Sequence, residues 1–501
     1  MKKLFLTICL AVTAVLALQA ETFTGNIVVN RNGQTNNAYV TVNVSEQDNG
    51  LYTLVLQVPT FGTMTMTDVH SAYRRGFTVY SAERDVATNF GTMRTTLFAR
   101  TIDGMMTADV AIPAQNTTMR FNTVGDHFQL PNSDMEGWAA STGEPDRWHG
   151  FKSAGGSQTL VNMSAGMVKL EQSNDVRSGA TGHSAVMTAG GISFLNVVAN
   201  GTMTNGQLIA GSATAQDPAN HAEMDKTKTN TDANGDLFYM PLYAQPDKFN
   251  VWLKYTQGSS NANNKASVSV KTFDGSYYQE PVDKVYTNLS GSIVGGQIPA
   301  GNWTFYSFPF DYDSYAANGA NTEAIFVTFS TNGNPGSGSI GDALYVDDME
   351  LVYLGNMTDL RYQNVTIAGW NPAVTEYNME IAGEPNLDDF DATIEGVSAV
   401  LTKSMEQNAD GSYRIAISVV SADLQNAACY IINVTEPSQQ FIPGDVDNSG
   451  TAAISDVTAL INYLLSGNPE GINLLAADVD GDTKIAISDV TALINLLLSS
   501  H

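Results

Sequence analysis

Two stretches near the C-terminus hold the residues best suited to chemistry. One reads "DVDNSGTAAISDV" from Asp445 and the other "DVDGDTKIAISDV" from Asp478; over 21 aligned positions they agree at 15. The first places Asp445, Asp447 and Ser449 at positions 1, 3 and 5 and Asp456 at position 12. The second places Asp478, Asp480 and Asp482 likewise, with Asp489 at position 12. A hard dication takes roughly six to eight oxygens, and this spacing wraps a twelve-residue loop around one calcium. Position 7, Thr451 or Lys484, would add its backbone carbonyl, and the alanine at position 9 (Ala453, Ala486) leaves that ligand to water. Two Ca2+ ions are therefore expected, one per loop. Position 6 wants a glycine for its sharp turn; Gly450 supplies it, whereas loop two has Thr483. A left-handed backbone on a non-glycine residue costs about 1–2 kcal/mol.

An apolar stripe follows each loop. Val457, Leu460, Ile461 and Leu464 fall at i, i+3, i+4 and i+7, as do Val490, Leu493, Ile494 and Leu497, which predicts two amphipathic helices. Pro443 and Gly444 stand where a helix entering the first loop would end. A loop and then a helix, written twice over residues 444–501, resembles a type I dockerin more than an ordinary EF-hand pair. That resemblance implies a cohesin-like protein partner, met through positions 10 and 11: Ile454 and Ser455 in one half, Ile487 and Ser488 in the other.

Elements that could carry such a module occupy the rest of the chain. Residues 1–20, "MKKLFLTICLAVTAVLALQA", have a Lys2–Lys3 head, an apolar run and a small residue at the end. That is a Sec-type signal peptide, too short and wrongly flanked for a membrane anchor. The expected localisation is export, to the cell surface, the periplasm or the medium. Once the leader is removed Cys429 is the only cysteine, so no internal disulfide is possible; its apolar setting, "AACYIINV", predicts an inert thiol. With 24 Lys+Arg against 51 Asp+Glu, the net charge of −27 argues against nucleic acid and anionic membranes as partners.

Alternating Thr- and Val-rich segments such as "AYVTVNV" and "LYTLVLQV" predict an antiparallel barrel or sandwich over residues 21–124. The order of its segments, "FTGNIVV" and then "GLYTLVL", resembles the calycin-like domain of secreted Bacteroidota proteins. Residues 125–354 lack helical periodicity and read as a β-jelly roll, with strands such as "KFNVWLKY", "KASVSVKTF" and "WTFYSFPF". A small immunoglobulin- or cadherin-like β unit, expected to act as a spacer, covers 355–435, and a linker covers 436–443. The fold class is mainly β and multidomain, with a small α-helical calcium-loop module at the C-terminus.

The jelly-roll segment resembles the putative carbohydrate metabolism domain family of Bacteroidota, through "NSDMEGW" at Asn132–Trp138 and "LYVDDMEL" at Leu344–Leu351. The resemblance implies a structural calcium shared by two neighbouring strands. By that carry-over Glu136 and Asp348 are ligand candidates, with Asp134 and Asp347 as alternates. Since a strand alternates faces, only one of Asp347 and Asp348 points inward. In "KFNVWLKY" Phe249, Val251, Leu253 and Tyr255 share one face, and Trp252 lies opposite with Asn250 and Lys254. Trp252, and Trp148 in the loop "GEPDRWHGF", are the candidate aromatic platforms for a sugar; Trp138, Trp303 and Trp370 are expected in the core.

No stretch carries a hydrolase signature or an HExxH zinc motif, the six histidines are scattered, and no catalytic residue is assigned. The leading expectation is a non-catalytic, exported glycan-binding protein with a docking module, acting in polysaccharide capture and catabolism. A glycoside hydrolase built on the jelly roll, or an adhesin that binds no sugar, are the alternatives.

Overall fold

The computed structural model describes residues 20–74, 76–123, 128–192, 197–261, 263–437 and 442–499. The expected signal peptide, all but Ala20, and linker residues 438–441 lie outside them. The chain is mainly β, as its alternating patterns predict, and two compact units divide it. The first runs to Tyr377 and includes Asn386–Asn433; the second joins Asn378–Pro385 to the segment from Val434 onward.

The first unit opens with a closed barrel of eight antiparallel strands. They are β1 (Glu21–Arg31), β2 (Gln34–Glu46), β3 (Tyr52–Val58), β4 (Gly62–Arg74), β5 (Phe77–Thr88), β6 (Gly91–Ile102), β7 (Met105–Ile112) and β8 (Thr117–Asn122). Each pairs with the next, and β8 closes on β1. The period-two alternation turns Ile27, Val42, Leu54, Leu97 and Phe121 inward, all fully buried. Eight strands enclose a space about wide enough for side chains to fill. At the β1–β8 seam the backbones approach so closely that a Cβ on Gly25 would sit 2.2 Å from the Asn122 carbonyl oxygen.

A ten-stranded antiparallel sheet follows, nine strands ordered from Lys169–Ser173 through Ser184–Thr188, Ala343–Val352, Lys248–Thr256, Gly301–Asp311, Leu289–Ile293, Ala266–Phe273 and Ala324–Ser330 to Thr202–Thr204, with Gln297–Ile298 pairing off that path with Ala266–Phe273. Phe249 and Phe329 stand four strands apart in that ladder, about 19 Å in a flat sheet. Their ring centroids are 6.4 Å apart. The sheet therefore folds over itself into two facing layers, with Phe249, Val251, Leu253 and Tyr255 in the core as their alternation predicts. A smaller sheet of Tyr278–Glu280, His221–Met224, Gln207–Ala210 and Gly155–Gly156 lies beside it in sequence and space, with helix α1 (Gln158–Met167) contacting Gln207–Ala210.

The segment expected to be a spacer is instead clamped to both neighbours. The Arg74 guanidinium donates to the Ala399 and Val397 carbonyls at 2.7 and 2.6 Å, Arg414 pairs with Glu83 at 2.8 Å, and buried Arg100 donates to the Ala422 carbonyl. On the other side the Asp247 carboxylate accepts the Val397 N–H at 2.9 Å, and Ser398 donates to the Gln245 carbonyl at 3.0 Å. Buried polar contacts of this kind fix orientation, so the 386–433 strands act as a bracket rather than a tether. Cys429 is partly buried and unpaired; burial pushes its thiol up to about 11, which leaves it protonated and inert.

In the second unit α2 (Ile454–Ser466), the short α3 (Leu474–Ala477) and α4 (Ile487–Ser499) surround a core of Val446, Val457, Leu460, Ala477, Val490 and Leu493. The buried stripe is narrower than the spacing predicts. Ile461 and Ile494 are exposed, because two short helices sharing so small a core can each cover only about one side.

Candidate calcium loops and ligand cleft

Asp456 and Asp489, the third residues of α2 and α4, are fully buried, and each braces its own loop. The two oxygens of Asp456 accept the Asp447 and Ala453 N–H groups at 2.9 and 2.8 Å. Those of Asp489 accept Val479 and Ala486, both at 2.8 Å. Asp445 accepts the Ser449 and Gly450 N–H groups at 2.8 Å each, and Asp478 Oδ2 accepts Thr483 at 2.9 Å. Oxygens of Asp445, Asp447 and Asp456 lie within 4.8 Å of one another, as do those of Asp478, Asp480 and Asp489.

Three carboxylates held this close repel one another unless a cation lies between them. Asp478 Oδ1 is also buried with no hydrogen-bond partner, a costly arrangement that a bound cation relieves. All-oxygen donors in this number suit calcium rather than a softer metal. Asp482 stands outside the second cluster, and its carboxylate accepts the Lys484 N–H at 2.8 Å. Ser449 donates its hydroxyl to the Thr451 carbonyl at 3.3 Å, so two expected loop-one ligands already touch. Thr483 takes the left-handed conformation that its position demands, φ +69°, where Gly450 has +91°. Ile454 and Ile487 are 77% and 73% exposed, and Ser455 and Ser488 beside them are exposed too.

The jelly-roll acids are arranged otherwise than the resemblance implies. Glu136 accepts the His183 backbone N–H at 2.7 Å and sits 3.1 Å from its Nδ1. Asp348 pairs with Arg177 at 2.6 Å, and Asp134 accepts the Glu136 N–H at 3.4 Å. The inward acid is Asp347, pushed up to about 7 by burial and then by the charge of Asp348. Among the described residues these acids form no cluster of three metal-ligating groups.

The aromatic platforms also need correction. Trp148 is fully buried; its indole N–H donates to the Pro131 carbonyl at 3.1 Å and its ring packs near Phe329. Its polar neighbours suggested a loop surface, but Arg147 adopts φ +68° and the chain turns the tryptophan inward. Trp252 is half-buried, with the Arg177 guanidinium 5.2 Å over its ring and Phe305 at its side. Trp138, Trp303 and Trp370, expected in the core, are each only partly buried; Trp303 donates to Asp175 at 2.9 Å.

A concavity lies elsewhere, a cleft of about 550 Å³ beside the ten-stranded sheet. Its floor comes from three adjacent strands. Thr202 pairs with Ser330 and Ser330 with Ser267, while Thr328 pairs with Ser269 one repeat along. Alternation sends these hydroxyls to the cleft, while Val268, Val270, Val327 and Phe329 face the core. Glu280 Oε1 accepts from the Ser269 hydroxyl at 2.8 Å and the Tyr278 hydroxyl at 2.9 Å, and its other oxygen has no partner among the described residues. Burial, and then the Glu280 charge, raises the Tyr278 phenol, so it remains a donor. Lys271 donates to Ser292 at 2.6 Å. Leu160, Met163 and Met167 of α1, with Ile209, Pro281 and Val282, make aliphatic walls. The sequence carries a signal for this floor: Ser and Thr at alternate positions of strands that are otherwise largely apolar.

Residues 443–498 match the dockerin type I domain family. No curated protein matches the chain. Among solved structures, the M60 catalytic domain with the CBM51-1 and CBM51-2 domains of Clostridium perfringens ZmpB aligns over 84% of this chain at 9% identity and TM-score 0.16. This chain spans 39% of that structure's length. The N-terminal CBM22-1–CBM22-2 tandem of Paenibacillus barcinonensis Xyn10C aligns over 66% of this chain and 78% of its own length, at 9% identity and TM-score 0.22.

Proposed function

We propose that this protein is an exported glycan-capture protein: the cleft holds a carbohydrate, and the calcium loops fold a module that fixes the chain to a cohesin-like partner. The observation that carries the proposal is the dockerin type I match over 443–498, joined in one chain to a β-rich region with a ligand-sized cleft. The dockerin binds calcium through its two acidic loops, and docking uses the exposed faces beginning at Ile454–Ser455 and Ile487–Ser488. Because both helices present the same pair, either half can engage the partner.

The cleft supports capture better than cleavage. Glycoside hydrolysis uses two carboxyl groups flanking the bond, and Glu280 is the one carboxylate among the described cleft residues. The hydroxyl floor, by contrast, offers donors and acceptors to sugar hydroxyls.

The test is native electrophoresis of the full chain, with calcium, through gels containing a panel of polysaccharides stained afterwards. Retardation without clearing is expected. Cleared polymer would replace capture with hydrolysis, and mobility unchanged on every polymer would favour an adhesin that binds no sugar. Docking is tested by binding the full chain to cohesin modules with calcium and with excess chelator, where only the first should bind.

A further inference from the structure

The cleft has two chemistries, and they constrain what fills it. Its floor is a block of hydroxyls around Glu280 and the α1 side is mostly aliphatic, while Asn200, Asn220, His221, Gln297 and Asn332 add polar groups to the lining. Only two of the described lining residues carry a benzenoid ring, Phe151 and Tyr278. Tyr278 is 1% exposed and its ring is enclosed by Phe273, Tyr286 and Phe326; Phe151 packs against the core. No flat aromatic face is therefore offered to the C–H face of a pyranose.

A plain hexose or pentose polymer would leave hydroxyls against the side chains of Leu160, Met163, Met167 and Ile209, with Ser164 the one hydroxyl of α1 in the lining, and that desolvation is unfavourable. A ligand with a methyl group on one side and hydroxyls on the other meets both surfaces. Met163 and Met167 suit such a guest, since unbranched thioether chains adapt to a small apolar group. Glu280, with one oxygen held by Ser269 and Tyr278 and the other without a partner among the described residues, accepts from a sugar hydroxyl or an amide N–H.

We infer that the cleft selects sugars bearing an acetyl group, its methyl against the Leu160–Met163–Met167 wall and its sugar hydroxyls on the Ser267–Ser269–Thr328 floor. This rests on the glycan-capture reading and adds the class of sugar. An acetamido sugar and an O-acetylated polysaccharide present the same methyl and carbonyl, and the test separates them.

Full-length protein in calcium is titrated calorimetrically with N-acetylglucosamine oligomers and their de-N-acetylated counterparts. Acetylated xylan is compared in parallel with the same xylan after alkaline deacetylation. Each acetylated ligand is expected to bind at least about tenfold more tightly, the discrimination that a small apolar group earns in an apolar pocket. A preference in one arm alone supports the inference and identifies the source. Met163→Asn, at a position 36% exposed and so tolerant of change, should abolish the preference while circular dichroism stays unchanged. Equal binding of acetylated and deacetylated ligands would overturn the inference and leave glycan capture standing. No binding of any of the four would overturn both, and a preference that survives Met163→Asn would remove the wall from the account.

Discussion

Thr483→Gly should stabilise the second calcium loop. Thr483 has φ +69° at the position where Gly450 has +91° in loop one. A side chain in the left-handed region costs about 1–2 kcal/mol. Glycine removes that cost but gives up about 0.5–1 kcal/mol to the extra freedom of the unfolded chain. The net gain is then about 0.5–1 kcal/mol. Nothing opposes it in packing, since Thr483 is exposed and the backbone N–H that reaches Asp478 is kept. For a domain of this size 1 kcal/mol moves the melting midpoint by about 4–8 °C, so a rise of about 2–8 °C is expected. The assay is thermal melting of the full chain followed at 222 nm, where α2 and α4 contribute, in calcium held near half-saturation. Gly450→Thr should lower the midpoint by a comparable amount. A fall with Thr483→Gly, or no movement in either variant, would refute the claim that a left-handed turn limits these loops.

Excess chelator should remove the helical signal of α2 and α4 and leave the β signal intact, because each loop then crowds three carboxylates without a cation; an unchanged spectrum at 222 nm would sink this. Gly25→Ala should destabilise the chain by about 1–3 kcal/mol in urea melts, since the new methyl meets the Asn122 carbonyl at the barrel seam. Glu223 and His221, 3.2 Å apart, set a pH window. Burial opposes both charges, but His221, Lys228 and Tyr277 hold Glu223 down to about 2, and Glu223 with the Pro218 carbonyl raises His221 above 6.5. The Glu223 contribution is complete above about 4.5 and is lost as pH falls toward 2, whereas the His221 contribution is complete below about 6.5 and is lost as pH rises through its raised value. Urea midpoints should therefore be highest near pH 5.5, and Glu223→Gln should flatten both flanks.

How much of this was legible depended on how local each feature is. The two acidic clusters could be read because the three aspartates of each lie within twelve consecutive residues, so spacing brings them together. The barrel strands could be read for a similar reason, since alternation marks one buried face and each strand pairs with the next. The cleft could not. Its floor exists only when Ser267 meets Ser330 and Ser269 meets Thr328, a register between strands far apart in sequence. Trp148 misled because a charged loop hid a single backbone reversal at Arg147. Spacing also gave no sign that Glu136 and Asp348 lie against His183 and Arg177, which are distant from them in sequence. The stripe on α2 predicts Leu460 correctly and overreaches at Ile461, since periodicity gives the direction of a face but not the width of the surface it meets.

The bracket between the barrel and the 386–433 strands sets an order of events. Arg74 and Ala399 are 325 residues apart, Arg100 and Ala422 are 322, and Arg120 and Asp423 are 303. A chain is made from its N-terminus, so eight barrel strands are complete long before the carbonyls that receive these guanidinium groups exist. In that interval the barrel must persist on its own hydrophobic filling, with Arg100 not yet bonded to the Ala422 carbonyl. Its final desolvation waits for the whole ten-stranded sheet to be synthesised. A nascent chain stalled before residue 397 would thus hold a folded but unlatched barrel, and the latch closes only as the calcium module begins to emerge.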